Sequence, residues 1–148
     1  MTTILIREIS PYMEGSILLG VFTSPEEAEL NRKAYLASRT ETPASDPWHH
    51  QPYKPDGLQP SDLVVMSFQN LVAVADTPAF VVSIYSEGFG QTVRKFISVD
   101  TDLAAAKSEA ARLEEADSNS FPGYYGVQEA VVGQLLSDAP EAQPRIYD

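Results

Sequence analysis

Apolar and polar positions fall into two stretches with the same order of periods. In the first, TILIREI (3–9) and SILLGVF (16–22) are short β-rich runs joined by SPYMEG (10–15), a connection of hairpin length. The period then changes to helical over TSPEEAELNRKAYLASR (23–39), where Ser24 is the expected N-cap and Pro25 the first helical residue. Glu27 completes an S-x-x-E capping box, and the carboxylates of Glu26, Glu27 and Glu29 suit the positive end of the helix dipole. DLVVMSF (62–68) is β-branched and predicts a third strand, continuing or bending through NLVAV (70–74).

The second stretch repeats this plan. AFVVSIY (79–85) and TVRKFISV (92–99) flank SEGFGQ (86–91), a glycine-bearing hairpin turn. TDLAAAKSEAARLEEA (101–116) predicts a helix with Asp102 as N-cap; Leu103, Ala106, Ala110 and Leu113 form one apolar stripe. YYGVQEAVVGQLL (124–136) supplies a closing strand in which Tyr124 and Tyr125 alternate faces. A shift of 78 residues aligns Ile6 with Ile84, Val21 with Val99, Thr23 with Thr101 and Ala28 with Ala106. These identities are few, so an internal duplication rests on the matching element order and strand-to-helix junctions.

The expected fold is therefore α+β: two β-β-α-β units forming a mostly antiparallel sheet with two helices on one face. One continuous six-stranded sheet and two packed sheets both satisfy the pattern. The expected organisation is a single domain over 1–137, with halves at 1–75 and 78–137, a long loop at 40–61 and a flexible tail at 138–148.

Composition narrows the function. The chain has 148 residues, of which 43% are hydrophobic, a globular balance with length enough for one core. No apolar run approaches the ~20 residues needed to span a bilayer. The first residues lack a cationic segment and a small-residue cleavage site, so no signal peptide is expected and a cytoplasmic location is. With no cysteine there is no disulfide, thiolate nucleophile or thiolate metal site. Ten Lys and Arg against 21 Asp and Glu give a net charge of −11. That field repels nucleic acid and anionic membranes, and it favours a basic protein partner.

The halves differ between helix and third strand. That link is short in the second half (117–123), but in the first it runs through the proline-rich loop 40–61. Structureless loops longer than ~15 residues are uncommon in compact domains and are usually functional or disordered. This one holds DPWHHQPYKPDG (46–57), with the only tryptophan and both histidines. Trp48 and Tyr53 are residue types enriched at binding hot spots, with His49 and His50 between them. Trp48 folding back over a sheet edge or the core, a protein-recognition loop and a metal or catalytic site are the three alternatives. The third is the weakest. Adjacent histidines diverge in an extended chain, and only Asp46, Asp56 and Asp62 are near enough in sequence to add ligands.

Other chemistry is thin. SEGFGQ contains G-x-G, but a strand follows it rather than a helix, and neither a P-loop nor a G-x-S-x-G motif occurs. Glu8 and Glu129 are isolated acids within apolar runs, on opposite terminal strands. No catalytic residue, metal or cofactor is expected.

The function expected is that of a small, acidic, non-enzymatic, cytosolic protein-interaction module. It would be of inhibitor, immunity or anti-defence type and bind a basic partner. The expected contacts are Trp48, His49, His50 and Tyr53 of the loop, with Glu26 and Glu27 of the first helix and Glu114 and Glu115 of the second. The alternative is a small-molecule-binding protein or enzyme with a pocket between the halves or under the 40–61 loop. Open sheet edges also invite pairing of two chains as a homodimer.

Overall fold

The structure, a computed structural model, describes residues 1–8, 16–40, 58, 60–69, 73–88, 91–116 and 123–137. Trp48, His49, His50 and Tyr53 lie outside the described residues, as does the segment 138–148.

The first unit comprises β1 (Thr2–Arg7), β2 (Ile17–Phe22), α1 (Pro25–Thr40) and β3 (Leu63–Phe68). The second comprises β4 (Pro78–Gly88), β5 (Gln91–Asp100), α2 (Leu103–Ala116) and β6 (Gly123–Val131). The strands form two separate three-stranded sheets, β2-β1-β3 and β5-β4-β6, with every neighbouring pair antiparallel. In each unit the first strand is therefore central, and its hairpin partner and the strand after the helix flank it. Each hairpin also carries a register shift, between Leu5 and Ile6 in one and between Val82 and Ser83 in the other. The two-sheet alternative is the one realised, in an α+β fold.

Side-chain alternation places the layers. On β1, Ile4 and Ile6 point to one side, where they cluster with Leu18 and Val21 of β2 and with Ala79, Val81, Phe96, Val99 and Ala130 of the other sheet. Leu5 points to the opposite side, against Ala28 and Tyr35 of α1. Phe80 and Val82 of β4 likewise turn away from the seam, toward Ala106 and Ala110 of α2. The sheets thus meet face to face, and each carries its own helix on its one outer face. α1 and α2 consequently stand on opposite sides of the sandwich, not side by side.

Both faces of β1 and β2 are covered, which is why TTILIR and ILLGVF are buried at every position but Arg7. Each aliphatic side chain so buried contributes roughly 1.5–3 kcal/mol of transfer free energy. The α2 stripe packs as its spacing predicts, with Ala106 and Ala110 buried and Leu103 and Leu113 against the same cluster.

The expected strand over 124–136 is interrupted. β6 ends at Val131, and the chain turns at Gly133, whose φ of 94° favours glycine. Residues beyond the turn then lie along the outer edge of β2: the Gly133 amide donates to the Val21 carbonyl (2.8 Å) and the Leu136 amide to the Leu19 carbonyl (2.7 Å). This return ties the second unit to the first. Between the units, Ala73 is buried and its amide donates to Thr2 Oγ1 (3.1 Å), while β3 itself stops at Phe68. The end of the 40–61 loop is built into the fold. Leu58 is 1% exposed in the α1 core, and Pro60–Asp62 form a 3-10 turn leading into β3.

Candidate functional site

α1 starts where its local chemistry directs. The Glu27 amide donates to Ser24 Oγ (3.1 Å), the side-chain-to-backbone half of a capping box. The Glu27 carboxylate accepts from the Thr23 hydroxyl (2.6 Å) instead of returning to the cap residue. On the inward side, Ala28 and Tyr35 are buried, and the Tyr35 hydroxyl accepts from Arg7 Nη1 (2.7 Å). Arg32 straps the helix flank to the entry of β3: Nε donates to the Leu63 carbonyl (3.1 Å) and Nη2 to the Pro60 carbonyl (2.7 Å). A third contact, 3.3 Å, joins Arg32 to Glu29.

The outward side of α1 holds an open, shallow groove lined by Pro25, Glu26, Glu29, Leu30 and Lys33. Leu30 is 68% exposed, the most exposed of the large hydrophobic residues described. Leu30 sits one turn after Glu26, next to Glu29, so an apolar centre has carboxylates at its rim. Of the described cations, Arg7 and Arg32 are fastened to the tyrosine hydroxyl and main-chain carbonyls just described, Arg94 is buried and Arg112 pairs with Glu109, whereas Lys33 of the groove and Lys95 are exposed. Meanwhile Glu8, Glu26, Asp102, Glu114, Glu115 and Glu129 are exposed.

Arg94 is the unexpected feature of the interior. It lies on β5, 5% exposed, in the seam between the sheets. Its Nε donates to Ser83 Oγ of β4 (3.0 Å) and its Nη2 to Gln128 Oε1 of β6 (2.9 Å). Nη1 reaches the Ser16 carbonyl at the start of β2 (3.4 Å), so one guanidinium links all three strands of its own sheet to the other unit. The planar group also lies over the rings of Tyr85 (5.0 Å) and Phe96 (4.5 Å). Burial pushes its pKa down to about 10, with Tyr85 acting in the opposite direction. Tyr85 stacks on Tyr124 with ring centroids 5.3 Å apart, extending the aromatic cluster, while Tyr125 packs toward α2. Arg94 is charged at neutral pH, and its contacts with Ser83, Gln128 and the Ser16 carbonyl fasten the seam.

The residues expected to bind a partner are thus not brought together. Glu26 lines the α1 groove, whereas Glu27 is spent on the helix start. Glu114 and Glu115 are exposed at the end of α2, on the far side of the sandwich, so they share no surface with Glu26. Trp48, His49, His50 and Tyr53 are outside the described residues. Among the described residues no group of three His, Asp or Glu could hold a metal ion. None of the described helices is long and apolar enough to cross a membrane. Two features had escaped the sequence reading. Leu30 is an exposed apolar residue on a charged helix face, and Arg94, Ser83 and Gln128 are polar residues at buried strand positions. The signal for both was a break in periodicity. No protein-family model, no curated protein and no solved structure matches this chain.

Proposed function

We propose that this protein is an acidic interaction module that binds a basic protein partner through the outer face of α1. The observation that carries the reading is Leu30, set exposed in a groove that it shares with Pro25, Lys33 and the two acids Glu26 and Glu29. The ligand chemistry that fits is a cationic amphipathic segment, with one apolar residue seated on Leu30 and Lys or Arg directed at the two carboxylates. The charge of −11 over the whole chain speeds the approach of such a partner and discourages anionic ones. An inhibitor, immunity or anti-defence protein that occupies the basic groove of a nucleic-acid-binding target has this chemistry. The proline-rich segment with Trp48, His49, His50 and Tyr53 belongs to the same proposal as a second contact region.

A short Leu/Lys amphipathic peptide is the defined probe. Titrated into the isotopically labelled protein at low salt, it is expected to shift the amide resonances of residues 26–33, with little change in α2. The effect should weaken as salt is raised and be lost in Leu30→Glu. Shifts spread evenly over both helices, or persisting in Leu30→Glu, would reduce the interaction to nonspecific charge attraction and refute the reading.

A further inference from the structure

The free edge of β3 has an arrangement that fits its own image. Pairing of β1 with β3 runs Arg7 opposite Leu63 through Thr2 opposite Phe68, and the Glu8 amide continues the ladder by donating to the Asp62 carbonyl (2.7 Å). In an antiparallel ladder hydrogen-bonded pairs alternate. Asp62, Val64, Met66 and Phe68 therefore turn their main-chain groups to β1, and Leu63, Val65 and Ser67 turn theirs outward. The contact of Arg32 with the Leu63 carbonyl (3.1 Å) agrees with this phase, since that carbonyl must point away from β1. Beyond it, the N–H and C=O of Val65 and Ser67 face outward with no partner assigned to them among the described residues.

The other edges are guarded. The outer edge of β2 is occupied by the Gly133 and Leu136 amides. β5 has a register shift and an exposed Lys95, and β6 an exposed Glu129. Such devices discourage edge-to-edge pairing. β3, LVVMSF, has no charge, no proline and no bulge, in a chain of net charge −11 that otherwise repels its own copies.

We propose that a second copy of this chain pairs with β3 in antiparallel fashion about a two-fold axis at Met66. In that register Val65 of each copy lies opposite Ser67 of the other, and each such pair exchanges both of its hydrogen bonds. The Leu63 carbonyl keeps its Arg32 contact. Met66, 39% exposed in the single chain, faces its own counterpart at the close, non-hydrogen-bonded position and is covered. The result is a six-stranded sheet in the order β2-β1-β3-β3-β1-β2, with no like charges brought together along the seam. This proposal is independent of the α1 groove.

Light scattering and amide exchange on the full chain test it. The expected mass is near twice 16.2 kDa, falling toward one copy on dilution, with protection of the Val65 and Ser67 amides falling in step. Met66→Lys places two ammonium groups face to face and should weaken association at least ten-fold, while Ile97→Lys on β5 should leave it intact. A monomer at every concentration overturns the proposal. So does a dimer in which Val65 and Ser67 exchange at the same rate when dissociated. If Met66→Lys fails to fold, the exchange data on the unaltered chain decide alone.

Discussion

Arg94 shows what a single side chain contributes here. Its planar fork serves Ser83, Gln128 and the Ser16 carbonyl at once, and it lies over two aromatic rings. Lysine has neither the fork nor the stacking plane. Arg94→Lys is accordingly expected to destabilise the fold by roughly 2–3 kcal/mol in urea denaturation, by leaving buried acceptors unserved. The pH dependence has a definite sign. The folded pKa, about 10, lies below the ordinary 12.5, so the folded state loses its proton first as pH rises. The stability difference between the natural chain and Arg94→Met should be flat near neutrality and move in favour of the natural chain above the folded pKa. Gly20 makes a second, steric case. A Cβ there would lie 2.7 Å from Phe22 Cζ and 3.1 Å from the Gln134 carbonyl oxygen, in the segment laid along β2. Gly20→Ala should cost about 1–3 kcal/mol, the usual range for overpacking. Neither role was legible in the sequence, because each depends on groups that only the folded chain brings together: Ser83, Gln128 and the Ser16 carbonyl around Arg94, and Phe22 and Gln134 around Gly20.

At the scale of elements, local chemistry was the most readable. Ser24 and Asp102 cap their helices as their spacing predicts, the latter through a 3.0 Å bond from the Ala105 amide to Asp102 Oδ2. Ser24→Ala should lower stability by about 1 kcal/mol, measurable as a shift in the denaturation midpoint. Strand ends were less readable. β6 stops at Val131 although VVGQLL continues the apolar run, because that run serves two elements, a strand in one sheet and an edge cover on the other. α1 separates folding from binding. Leu30 touches the surface groove alone, so Leu30→Glu should change stability by less than about 0.5 kcal/mol. If it instead unfolds the chain, Leu30 is a core residue and the groove is no binding surface.

For the molecule as a whole, the two β-β-α-β units could be read from the order of periods, and their stacking could not. Apolar runs without polar alternation, such as ILLGVF and AFVV, imply cover on both faces but do not say whether a helix or another sheet supplies it. The seam of Ile4, Ile6, Val81 and Ala130 supplies the answer, and it sets the two helices on opposite sides. That separation divides the acidic surface that the sequence had led us to expect as one. It leaves α1, with Leu30, Glu26 and Glu29, as the face with both an apolar centre and an acidic rim. Site-specific photo-crosslinking in the native host tests this most directly, with the reactive group placed at exposed Ala34 on α1 or at exposed Ala111 on α2. A discrete adduct to a basic protein from position 34, absent from position 111 and abolished by Leu30→Glu, is the predicted result. Equal adducts from both positions, or one from α2 alone, would contradict it.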